Sequence, residues 1–194
     1  MPALLDIPEV RERISRISVE EYHQLGEYNE NGRRTELMRG IIIEKVSKSP
    51  LHSTLGSLLY KLIFSQVAAN FLVRKDEPLT FADSEPEPDV SVVHGRESDF
   101  KNAHPSTAEL VVEVAVSSVA LDRENASLYA EANVKEYWIV LGRESRIEVY
   151  REPKNGRYQQ FRVYGAGETL VCASIPGLQL RLSELFGLPG PHIS

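Results

Sequence analysis

Apolar residues follow several distinct rhythms along this chain, and the changes between them mark the elements. SVEEYHQLGEY opens with Ser18 and carries Glu21 three residues later, the spacing of a capping box, so a short helix is expected to begin there. After NENG, RTELMRGIIIEKVS reads as strand, Gly40, strand, and predicts a bent strand or hairpin at the edge of the sheet. From Ser49 the period lengthens: Leu51, Leu55, Leu58, Leu59, Leu62 and Ile63 recur at helical spacing to about Ala69. FLVRKDEPLTF and PDVSVVHG are short β-rich runs separated by the acidic loop ADSEPE, which puts Asp89 at a strand entrance. AELVVEVAVSS alternates little, as a central strand buried on both faces should. A helix is predicted from about Val119 to Asn133, where Asn133 can end it in the left-handed conformation. EYWIV and RIEVYRE read as strands, RYQQFRVYGAGETLVCASI as a hairpin turned by Gly165 and Gly167, and SELF as a short closing helix. The order predicts an α/β core with a mixed central β-sheet flanked by helices.

Length and composition narrow the class. A chain of 194 residues suits one domain, placed here at 18–187, with 1–17 an N-terminal extension and 188–194 a tail. The start MPALLDIPEV lacks the basic opening and long apolar run of a secretory signal, and no segment approaches the ~20 apolar residues of a membrane span, so a cytoplasmic location is expected. Cys172 is the only cysteine, which excludes an intrachain disulfide and a cysteine-based zinc cluster. It lies in a strand-like run, where thiols are usually inert. A formal charge of -6 argues against a protein that coats nucleic acid with a broad basic face. It leaves room for an enzyme whose carboxylates are neutralised by bound cations. No dinucleotide fingerprint, P-loop or G-x-S-x-G motif is present.

The acids of PDVSVV and LVVEVAV are the strongest chemical signal. Glu113, between Val112 and Val114 in an apolar strand, costs several kcal/mol to bury unless it is paired, protonated or bound to metal. If the strands are neighbours, Asp89 and Glu113 converge, and like charges that close either share a proton or bind a divalent cation. Oxygen ligands without cysteine point to magnesium or manganese. The alternative is that Glu113 faces solvent or pairs with an arginine such as Arg123. Tyr129, Tyr137 and Trp138 read as core packing, with a stacking platform for bases as the alternative.

RTELMRG, SPLH, EPDVSVV, ELVVEVAVSS and DRENASLYAEANVKEYWIV, in that order, resemble the Uma-two family of restriction endonuclease-like proteins, members of the PD-(D/E)XK nuclease superfamily. The resemblance implies a restriction endonuclease-like core and Mg-dependent hydrolysis of DNA phosphodiesters. Asp89 and Glu113 would hold Mg²⁺ (or Mn²⁺), the carbonyl of Val114 would be a further ligand, and Glu36 would bind a second ion or orient the water. His52 matches the histidine of an SPxH-like motif and would contact substrate phosphate or act as a base; otherwise it caps or packs its helix. The superfamily's lysine two residues past the second acid is replaced by Ala115, and the displaced position on the following helix is Asn125. Asn125 can bond a water or phosphate oxygen but carries no charge. Arg123 either substitutes as the cation or forms a surface ion pair. The rival reading is a nuclease-fold protein that binds nucleic acid or a protein without cutting. Two-copy action by nucleases of this fold makes a homodimer an expectation, although no motif marks an interface. Target recognition would fall to loops such as ADSEPE and GRESDFKNAHPST.

Overall fold

The computed structural model describes residues 7–27, 34–116 and 119–187. NENG lies outside them. The chain divides into two compact units, Met1–Lys45 with Ala82–Pro86, and Val46–Phe81 with Glu87–Ser194.

In the first unit a single turn, α1 (Pro8–Arg11), precedes α2 (Val19–Glu27). The capping box forms as read: Glu21 N–H donates to Ser18 Oγ at 3.2 Å and Ser18 N–H to Glu21 Oε2 at 2.7 Å. β1 (Thr35–Met38) and β2 (Ile41–Glu44) make the expected hairpin, but as a two-stranded sheet of their own. Arg39 and Gly40 close it with φ of 50° and 75°, the two positive values a tight hairpin turn requires. The ADSEPE segment is tied to this hairpin. Glu85 N–H donates to Leu37 O at 2.7 Å, Gly40 N–H to Asp83 O at 2.8 Å, and Arg39 N–H to Ser84 Oγ at 2.7 Å.

The second unit is built on six strands: β3 (Phe71–Lys75), β4 (Val90–His94), β5 (Leu110–Ala115), β6 (Glu136–Leu141), β7 (Arg146–Lys154) and β8 (Arg157–Gly165), hydrogen-bonded in that order. All neighbours are antiparallel except β5 and β6, whose parallel pairing follows from the crossover through α4 (Val119–Glu131). The sheet is therefore mixed, as predicted. Helix α3 (Pro50–Phe64) places Leu55, Leu59 and Ile63 on one face of it, against Val90, Val112, Val114 and Trp138. The other face, with Val111, Tyr137 and Ile139, takes Tyr129 of α4. Tyr129, Tyr137 and Trp138 are fully buried, so they are core, as the sequence reading preferred.

Asn133 ends the α4 segment at φ 59°, as anticipated. The C-terminal hairpin differs from expectation. β8 pairs with β7, not with the strand that follows it, and the turn is Asn155-Gly156, with φ of 51° and 71°. β9 (Thr169–Val171) pairs instead with β10 (Gln179–Arg181), after which α5 (Leu182–Leu185) closes the unit. Among the described residues no helix is long and apolar enough to cross a membrane.

Candidate active site

The β4–β5 ladder fixes where the two acids meet. Its last backbone pair is Val90 with Val112, so one step further along each strand sets Asp89 opposite Glu113. At that step the pairing passes to side chains. Asp89 N–H donates to Glu113 Oε2 at 3.3 Å, and Val114 N–H donates to Asp89 Oδ2 at 2.8 Å. Each acid thus accepts a backbone N–H from the other's strand, a reciprocal clasp that holds the strands where their ladder stops. Because a strand residue's N–H and C=O point the same way, the Val114 carbonyl lies on the Asp89 side of β5.

Three further elements converge on this clasp. From α4, Tyr129 Oη donates to Glu113 Oε1 at 2.8 Å. From the first turn of α3, His52 Nε2 sits 3.0 Å from Asp89 Oδ2, while its backbone N–H takes the N-cap Ser49 Oγ at 3.2 Å. Just ahead of α3, Lys48 Nζ donates to Asp89 Oδ1 at 2.7 Å and also to Asp76. Asp76 follows β3 at φ 55°, and its N–H donates to Asp89 O at 3.3 Å. A cleft of about 60 Å³ opens beside these groups, lined by Lys48, His52, Ser53, Lys75, Asp76 and Asp89 among others.

The electrostatics follow from the partners. Burial pushes the Asp89 carboxyl upward, but His52 and Lys48 outweigh it and hold the group below the usual carboxylate range. Burial likewise pulls the Lys48 ammonium down, and Asp76 and Asp89 together more than offset it, raising it above an ordinary lysine. Tyr137, fully buried near Glu113 and Asp122, is pushed well above a normal phenol and stays neutral. Among the described residues, His52 Nδ1 and Ser91 Oγ are buried polar atoms with no hydrogen-bond partner.

The remaining candidates lie as follows. Glu36 is on β1 in the first unit, where it accepts from Lys45 Nζ at 2.7 Å. Asn125 is on α4 one turn before Tyr129, and the i, i+4 spacing puts both on one helix face. Arg123 grips the buried Glu148 of β7 with two guanidinium nitrogens, Nε at 3.0 Å, so its charge is engaged there. It is Glu148, not Glu113, that takes the arginine. His23 of α2 keeps its side chain half-exposed and lies 2.8 Å from the buried Glu85. Lys48 and Asp76 carry no sequence signal, since each sits in a loop with no periodicity, and Lys48 lies 41 positions before Asp89.

The family Uma2, described as "Putative restriction endonuclease", matches residues 19–183. A crystal structure of a putative nuclease belonging to DUF820 from Anabaena variabilis superposes with a TM-score of 0.75 over 89% of this chain and 98% of that one, at 22% identity. At that identity the likeness speaks for the fold. No curated protein matches.

Proposed function

Because the chain belongs to the Uma2 family of restriction endonuclease-like proteins, we propose that it is a metal-dependent endonuclease hydrolysing DNA phosphodiesters, with Asp89 and Glu113 holding Mg²⁺ or Mn²⁺. The observation that carries this reading is the clasp, which fixes two carboxylates and the Val114 carbonyl edge at one end of β4 and β5. That donor set is all oxygen and suits a hard divalent cation. Among the described residues no three His, Cys, Asp or Glu side chains form a closed cage, and Mg²⁺ needs none, since it takes one or two carboxylates and keeps several waters. Asp89 Oδ1 accepts Lys48 alone among the contacts described, which leaves it capacity for a further partner.

Such a cation, when bound, acidifies water and offsets the charge that develops on phosphate. The protein's part is to hold the carboxylates ready. Val114 N–H and His52 orient Asp89, and Tyr129 orients Glu113. His52 is thereby a positioning residue for Asp89 as well as a lining group of the cleft where phosphate would enter. Glu36 enters as the auxiliary acid on its motif alone, and Asn125 as a hydrogen-bonding group on the α4 face that carries Tyr129. The partner is DNA, with a homodimer as the expected working form.

The test is calorimetric titration of Mg²⁺ and Mn²⁺ into wild type and Glu113→Gln, with plasmid nicking in the same buffers. Binding and nicking that both disappear in the variant support the enzyme. Binding without nicking in the wild type favours a nuclease-fold binding protein, and no binding at all makes the clasp purely structural.

A further inference from the structure

We propose that Lys48, which lies outside the lysine positions of the nuclease motif, supplies the positive charge of this reaction centre and donates an N–H to the scissile phosphate; this deepens the nuclease reading and rests on it. A phosphodiester brought against Asp89 and Glu113 meets two carboxylates, and its own charge grows as water attacks. A cation other than the metal is needed on the approach side. Ala115 cannot provide it, Asn125 carries no charge, Arg123 is engaged by Glu148, and Lys75 of the same cleft is held by Asp76, with no contact to Asp89 among the described residues. Lys48 has the placement. Its Nζ is 2.7 Å from Asp89 Oδ1, and its side chain is 27% exposed and lines the cleft beside His52 and Ser53.

The ammonium is also held in position. Asp76 and Asp89 grip it from two sides, and Asp76 is itself tied to Asp89 by its backbone N–H. A lysine ordinarily loses much rotamer freedom when it binds, and here most of that loss is taken on folding. Of its three N–H donors, the two carboxylates account for two among the described contacts, and the third serves a non-bridging phosphate oxygen. In the step itself the water oxygen forms the new P–O bond, and the P–O bond to the departing sugar oxygen breaks. The attacking water gives its proton to solvent, the leaving oxygen takes one from solvent, and Lys48 keeps its own.

The experiment compares wild type, Lys48→Met, Lys48→Arg and the double variant Lys48→Met/Asn125→Lys in three readouts: Mn²⁺-supported plasmid nicking, Mn²⁺ affinity, and duplex binding in Ca²⁺ across a salt series. Lys48→Met is expected to slow nicking roughly 100- to 1000-fold, the loss typical of one transition-state donor, with Mn²⁺ affinity retained. The salt slope should fall by about 0.9, the value of one phosphate contact, and remain in Lys48→Arg. A lysine at position 125, on the Tyr129 face of α4, should recover part of the nicking. Wild-type nicking by Lys48→Met overturns the proposal. So does loss of Mn²⁺ affinity with an unchanged slope, which makes Lys48 a prop for Asp89. If no protein nicks but the slope still falls in Lys48→Met, the hydrolytic reading fails while the phosphate contact stands; an unchanged slope ends both. Should Lys48→Met not fold, Lys48→Gln carries the same readings.

Discussion

Replacing Tyr129 with Phe separates the role of its hydroxyl in the site from the role of its ring in the core. The ring is fully buried, nearly perpendicular to Phe81 at 6.1 Å between centroids and 4.7 Å from Tyr137. Phe keeps all of that. What disappears is one donor, 2.8 Å from Glu113 Oε1, and hydrogen bonds to charged groups contribute about 1.5–3 kcal/mol. With Glu113 holding the cation as proposed, at ~1.4 kcal/mol per decade this corresponds to roughly 10- to 100-fold in Mn²⁺ affinity, in line with the usual cost of deleting a hydrogen-bond partner behind a metal ligand. Glu113 is only half-buried, so water can replace part of the lost bond in the metal-free protein, and the folding cost should stay near ~1 kcal/mol. The assay is Mn²⁺ calorimetry beside thermal melting of the same samples. Affinity unchanged within experimental error while the melting temperature falls by several degrees would refute the reasoning and leave Tyr129 as packing alone.

Three other outcomes follow from the structure. Glu136, fully buried, accepts from Trp138 Nε1, Arg151 Nε and Ala173 N–H, each at 2.8 Å, so Glu136→Ala strands all three and should cost about 3–5 kcal/mol in urea unfolding; a loss below ~1 kcal/mol would contradict this. Arg123, through its hydrogen bonds, holds the Glu148 carboxyl below the ordinary glutamate range. That contribution is complete above the ordinary value and is lost as pH falls through the lowered one, so the melting difference between wild type and Arg123→Met should be present at neutral pH, remain under ~1 kcal/mol because the arginine is half-exposed, and close in acid. Burial and the neighbouring Glu136 push the Cys172 thiol up to about 12, so a thiol reagent at pH 8 should label it only after denaturation, and rapid labelling of native protein would show the strand opening.

Much of the site was readable because it depends on strand period. Apolar runs placed PDVSVV and ELVVEV as strands, and a charged residue in the second needed a partner. Antiparallel pairing at Val90 and Val112 then brought Asp89 and Glu113 together. Lys48 and Asp76 were not readable, since their meeting depends on how two loops arrive at the end of β4. The Arg123–Glu148 pair was hidden for the same reason, as it joins α4 to a strand beyond the crossover. The C-terminal error has a different cause. Asn-Gly at 155–156 is the stronger hairpin signal, and the glycines at 165 and 167 drew the turn to the wrong place. Gly165 O instead accepts Glu168 N–H at 3.0 Å, a tight corner between β8 and β9.

The clasp between β4 and β5 bears on how descent acts on this protein. Asp89 and Glu113 close the end of the sheet with their carboxylates, so a relative would be selected to retain both for the sake of its fold whether or not it cuts DNA. Lys48 is under no such obligation, because the strands meet without it. In a relative with both acids intact, the residue at position 48 is therefore, on the proposed reaction, the better marker of whether phosphodiesters are cut.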